Sequence, residues 1–500
     1  MSGIYRLQQR PAPSTPTPSG VEATPLRPTV TPPQRLVSLD AYRGFIMSML
    51  AAGGFGIAQF ARIDKDSDVW KTWSYDRFQS LKFHFDHPAW ESITGWAGVS
   101  FWDLIQPAFM FMVGVAMPFS YQRREAMGSS GWKRHIHATV RATVLVLMGV
   151  FLYSLNKGQT NWIFTNVLAQ IGLGYFFAYL CLGKSRQVQW AVFCAILVGY
   201  WGLFVMNRPP ENYDYKSVDA SFENGEVLPG RFSAWSKNAN VAHIFDVWLL
   251  NKLRSPVPAD AVDEKVDRAS DSVRTEDGAG DVDLTNASAS VDAASAEKPL
   301  PEVAQPSLIR QWWFSCPEPY THNRGGYLTL NFIPSIATIL LGILCGQLLL
   351  GSQSARNKLL SLVAIGIVCL LTGVAAHHTV CPIIKRIWTP GWVLFSGGYV
   401  VLLLAAFYLL FDVLPFGKLA FPLIVVGMNS IVMYMLAQML RPWVTENVVS
   451  THFGGVLKSL FGPDALSPDG IGAMVAPTAT FFVFWLIAFW MYRNRYFVRV

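Results

Sequence analysis

The feature that most constrains this chain is VSFWDLIQPAFMFMVGVAMPFS, an apolar run within about Gly98 to Tyr121 that carries a single acid, Asp103. A helix of about 20 such residues matches the thickness of a bilayer's hydrocarbon, and lipid leaves the backbone no partners but its own. Comparable runs recur at about Gly44 to Ala61, Ala138 to Leu155, Asn166 to Leu182, Val188 to Met206, Leu328 to Leu350, Leu359 to Ala376, Trp392 to Leu410, Phe421 to Leu440 and Ala473 to Tyr492. The expected fold class is therefore all-α, a polytopic transmembrane helical bundle of about ten spans. With 52% hydrophobic and 15% charged residues and a mean hydropathy of +0.30, the chain is too apolar for an ordinary soluble protein.

Charge sets the expected topology. The connection QRREAMGSSGWKRH, the loop SQSARNK and the end YRNRYFVRV are basic, which places them and both termini in the cytoplasm. The net charge of +7 follows from those loops and gives no basic stripe for DNA or RNA, so no nucleic-acid partner is expected. Residues 1–34 are rich in Pro, Thr and Ser and read as a disordered cytoplasmic tail. A first membrane half covers 35–206 and a second 328–500, each with about five spans. Between them, 207–327 forms one long outer-face loop whose acidic, Ala/Ser-rich centre, about 255–306, reads as a disordered insertion. Its flanks carry Phe232, Trp235, Phe245, Trp248, Trp312 and Trp313, enough aromatic surface to pack against the membrane domain. Cys316 and Cys381 fall in loops on that same face, where one disulfide is compatible with an oxidising compartment.

Two residues stand out chemically. His87, in the loop HPAW, has an imidazole able to take a proton from an attacking amine or hydroxyl, or to be acylated itself. A plain loop histidine is the competing reading, and nearby His84 is the rival candidate. Asp103 is costly inside an apolar span unless paired, so it either supports His87 or balances a basic residue on another helix. Asp40 and Arg43, three apart, are substrate contacts or an interfacial ion pair. Trp90, Lys385, Arg386 and Trp388 are expected on the outer face as saccharide contacts, with lipid headgroups as the alternative. Asn429, within GMNSI, either bonds substrate or bridges helices. Arg123, Arg124, Lys133 and Arg134 offer cations for a phosphorylated co-substrate, although topology alone also accounts for each. His377 and His378 lack further ligands at metal spacing, so no metal is expected, and neither Walker A nor HExxH occurs.

As a set, RLVSLDAYRG, HPAW and SFWDLIQPAFMFMVGVAM, followed in order by VLAQIGLGYFFAYL, GGYLTLNFIPSIATILLGILCG, IIKRIWTPGWVLFSGG and FPLIVVGMNSIVMYML, resemble the heparan-alpha-glucosaminide N-acetyltransferase-like membrane proteins. The resemblance implies an acetyltransferase that takes an acetyl group from cytoplasmic acetyl-CoA, as co-substrate, and delivers it to an amino sugar or glycan at the outer face. It implies His87 as acetyl carrier or general base, with Asp103 in support. It also implies a multi-pass protein of a bacterial inner membrane, with lipid and saccharide as partners and self-association open. A transporter or flippase of a lipid-linked saccharide is the alternative, to which broken helices would point.

Overall fold

The computed structural model describes residues 36–157, 159–253 and 319–498. The tail 1–34, the acidic insertion, Trp312, Trp313 and Cys316 lie outside the described residues, and with them the Cys316 to Cys381 pairing. The protein is 71% helical, with no strand among the described residues.

The α-helices of eight residues or more among the described residues are α1 (Val37–Ala51), α2 (Tyr75–Phe85), α3 (Phe101–Ala126), α4 (Gly131–Ser154), α5 (Val167–Cys181), α6 (Arg186–Met206) and α7 (Val241–Leu253). They continue as α8 (Phe332–Leu350), α9 (Ala355–Thr379), α10 (Pro390–Tyr408), α11 (Phe421–Met428), α12 (Ser430–Met439), α13 (Gly454–Phe461) and α14 (Gly472–Arg493). Local chemistry starts several of them. Asn166 caps α5 by accepting the Leu168 N–H at 2.9 Å, and Thr389 caps α10 at 3.2 Å with Pro390 behind it.

Seven helices among the described residues are long and apolar enough to cross a membrane: α3, α4, α6, α8, α9, α10 and α14. The pair α11 and α12, bent by 64° at Asn429, makes an eighth if it is one span. Each of the ten apolar stretches contains a helix, but two fall short of a full crossing. Helices α1 and α5 have 15 residues each, about 22 Å against roughly 30 Å of hydrocarbon. The first also sits differently from expectation: it starts at Val37 and stops at Ala51, where Gly53, Gly54, Phe55 and Gly56 all take positive φ. Four left-handed residues cannot continue a right-handed helix.

Helix α8 is the centre, with 83% of its apolar window buried, against 28% for α4, α6 and α9. It packs closely on α3 because Gly342 and Gly346 have no side chains. A Cβ on Gly342 would lie 2.2 Å from the Phe111 carbonyl oxygen. Backbone contact of this kind is how apolar helices associate where burial against lipid gives little drive.

Candidate active site

Helix α3 sets the geometry. Its first turn holds Asp103 and its last holds Arg123 and Arg124, about 30 Å away along the axis. These ends define two sites.

At the first end, His87 Nδ1 lies 2.7 Å from Asp103 Oδ1, and Lys385 Nζ lies 3.0 Å from the same oxygen and 3.5 Å from the imidazole. The side chains of Asp103 and Lys385 are 3% and 5% exposed, whereas that of His87 is 40% exposed. An ammonium can only donate and a carboxylate accepts, so the stable neutral arrangement has His87 Nδ1–H donating to Asp103. Nε2 then carries the ring's free lone pair. Burial opposes the Lys385 ammonium, but Tyr327 and Asp103 outweigh it and hold its pKa above the ordinary lysine value.

Loops lock the three groups together. Asp86 accepts the His87 N–H at 2.9 Å and an Arg62 N–H at 2.6 Å, while Ser100 Oγ donates to its carbonyl. The Ser92 N–H donates to the Ile383 carbonyl at 2.8 Å, and Ser92 Oγ accepts the Lys385 backbone N–H at 3.0 Å. Arg386 reaches the Pro88 carbonyl at 3.3 Å and is itself anchored by Asn331, which donates to the Arg386 carbonyl at 2.8 Å.

Several residues expected on the outer surface are turned inward. Lys385 is occupied by Asp103, and Trp388, with φ of 49°, is buried and donates to Thr338 at 3.3 Å. Trp90 is buried too; its indole donates to the Trp235 carbonyl at 2.9 Å, and Trp235 stacks on Phe204 at 4.5 Å. Pairing the Asp103 charge brings Lys385 in, and aromatic packing draws in the tryptophans. His84, in the last turn of α2, packs edge to face on the Phe83 ring at 5.2 Å. His377 accepts the Ile383 N–H at 3.2 Å through Nδ1. Among the described residues no cluster of three His, Cys, Asp or Glu side chains is placed to hold a metal ion.

At the other end lies a cavity of about 770 Å³, cationic at its margin and apolar within. Arg43, Arg123, Arg124 and Arg141 line it, with Met112 and Ile171 among its apolar walls. Asp40 also lines it, 4.0 Å from Arg43, so this pair belongs with the cation cluster and not with His87. Arg134 stands over the Tyr121 ring at 4.7 Å and, with Arg124 and His137, lines a smaller adjoining pocket; Lys133 lines neither. The cavity lining reaches Phe109 on α3, about 9 Å of helix from Asp103. Two residues before Asp103, Phe101 meets Phe45 edge to face at 5.7 Å.

Asn429 is spent on the chain itself. Its amide donates to the Tyr496 carbonyl at 3.1 Å and accepts the Val498 N–H at 3.0 Å, strapping 496–498 across the helix break. Val498 thereby joins the cavity wall. Arg141 and His137 escaped the sequence reading; for Arg141 the signal available was a basic residue inside an apolar run, the same argument that singled out Asp103.

No protein-family model matches the chain, and no curated protein matches it.

Proposed function

We propose that this multi-pass membrane protein is an acyltransferase of the heparan-alpha-glucosaminide N-acetyltransferase-like type, moving an acetyl group from acetyl-CoA to a saccharide across the bilayer. One observation carries the reading: an exposed imidazole fixed on a buried carboxylate and lysine stands at one end of α3, and an arginine-lined cavity opens at the other. The orientation follows from loop charge, with the cavity on the cytoplasmic side and His87 outside, in a bacterial inner membrane.

The cavity fits the co-substrate by charge and size. Arg43, Arg123, Arg124 and Arg141 suit its phosphates, and the apolar walls suit a pantetheine arm while excluding water that would hydrolyse a thioester. At the far end, His87 Nε2 takes the proton from the acceptor amine or hydroxyl as the new C–N or C–O bond forms and the C–S bond breaks. The proton then passes to the departing thiolate. Asp103 holds the ring in the required tautomer and stabilises the imidazolium, and Lys385 keeps Asp103 ionised. With His87 as acyl carrier instead, the same Nε2 first attacks the thioester carbonyl, the C–S bond breaks to release the thiolate, and the acceptor then takes the acetyl group from the ring.

The bend at Asn429 favours a second reading, transport of a saccharide without acyl chemistry. Radiolabelled acetyl-CoA with purified protein in nanodiscs, with and without glucosamine, decides between them. Transfer by the wild type that is lost in His87→Ala supports acyl transfer, and label retained on the chain identifies the carrier route. Absence of acetyl-CoA binding, together with saccharide uptake by proteoliposomes, would sink it in favour of transport.

A further inference from the structure

The arginine-lined cavity has a far tier to which the charge argument gives no role. On α3 its lining runs from Arg124 back to Phe109, about 22 Å of helix toward Asp103. The lining residues farthest from the arginines on their own helices are Met47 on α1, Phe109 on α3, Leu145 on α4 and Val167 on α5, all apolar. One polar ring joins this tier, Tyr434 on α12, which also lines the cavity and is 5% exposed.

Tyr434 is placed there by the start of α5. Asn166, the residue before Val167, spends its oxygen on the Leu168 N–H, so its NH2 is the group that donates to the Tyr434 hydroxyl. The chain around Asn166 is itself fixed. Thr165 Oγ1 donates to the Tyr153 hydroxyl at 3.2 Å, and Gln170 donates to the Phe164 and Thr329 carbonyls at 2.7 and 3.1 Å. Helix α5 also lies hard against α4, where a Cβ on Gly149 would fall 2.7 Å from the Ala169 nitrogen. A buried ring backed by a chain so anchored is a stiff wall.

We infer that Tyr434 sets the length of acyl chain that the cavity accepts, its ring being the wall against which the acyl end of a bound CoA thioester packs. This rests on the acyl-transfer reading, which puts the phosphates at the arginines and so the thioester toward the opposite tier. A stiff apolar wall discriminates by the methylene, about 10- to 200-fold for each one that does not fit.

The test titrates the full chain in nanodiscs with acetyl-CoA and butyryl-CoA by isothermal calorimetry, which needs no turnover. Wild type is expected to bind acetyl-CoA at least about tenfold more tightly than butyryl-CoA. Tyr434→Ala should bring butyryl-CoA level with acetyl-CoA, and Tyr434→Leu should give a smaller shift in the same direction if the alanine variant does not purify folded. Tyr434→Phe keeps the ring without the bond to Asn166 and should keep the preference for acetyl-CoA. Equal wild-type affinities for the two thioesters, or an affinity ratio unchanged in Tyr434→Ala and Tyr434→Leu, overturns the role of Tyr434 and leaves the CoA cavity standing. Binding of neither thioester rejects the acyl-transfer reading and the role together. The expected shifts without acetyl transfer to glucosamine keep the role of Tyr434 and count only against transfer.

Discussion

Asp103 and Lys385, 282 positions apart, meet at 3.0 Å with both side chains almost fully enclosed. Removing one partner strands the other. Asp103→Ala is expected to cost about 3–5 kcal/mol of stability, read by thermal denaturation in detergent, because the lysine loses its counter-charge. Asp103→Leu combined with Lys385→Met should recover most of that loss while leaving acetyl transfer abolished. If the double variant is no more stable than Asp103→Ala, the pair is not an isolated electrostatic unit.

The junction between α7 and the start of α8 carries two groups of opposite pH dependence. Burial pushes Asp246 up to about 7 despite its bonds from Thr329, and burial with His322 nearby pushes His243 down to about 4. A raised carboxyl contributes stability that is full below its ordinary pKa and is lost as pH rises toward 7. A depressed histidine contributes stability that is full above 6.5 and is lost as pH falls toward 4. Between pH 4 and 7 the slopes oppose each other. Melting curves should show Asp246→Asn losing stability on acidification and His243→Gln gaining it. Parallel pH profiles for the two variants would contradict this balance.

Asn429 fastens the segment after α14 through two complementary bonds. Asn429→Ala should speed hydrogen exchange at Val498 by roughly ten- to a hundredfold, since each lost bond is worth about 1 kcal/mol. Unchanged exchange would mean that side-chain packing, not the amide, holds the strap.

Gly342 permits the contact between α3 and α8, whereas Gly199 on α6 has open space where a Cβ would go. Gly342→Ala should therefore destabilise by about 1–3 kcal/mol through forced separation of the helices. Gly199→Ala should be neutral or stabilise by up to about 1 kcal/mol through helix propensity. Equal effects at both positions would remove close helix approach as the explanation.

Sequence alone determined that this chain is helical and apolar enough for a membrane, because hydropathy and helix signals are local: a run such as the one around Asp103 can satisfy its backbone in lipid only by coiling. It also singled out His87 and Asp103, since an imidazole in a loop and an acid in an apolar run are conspicuous without any neighbour. Tertiary structure decided what those residues touch. Lys385 reads as an outward basic residue until folding brings it to Asp103, Asp40 and Arg43 read as substrate contacts or an interfacial ion pair until they line the opposite cavity, and Asn429 reads as a substrate contact or a helix bridge until the segment after α14 reaches it. The reason is physical. Pairing of charges and amides depends on distances across the bundle, and those are set by how glycine-faced helices pack, which no short window of sequence contains.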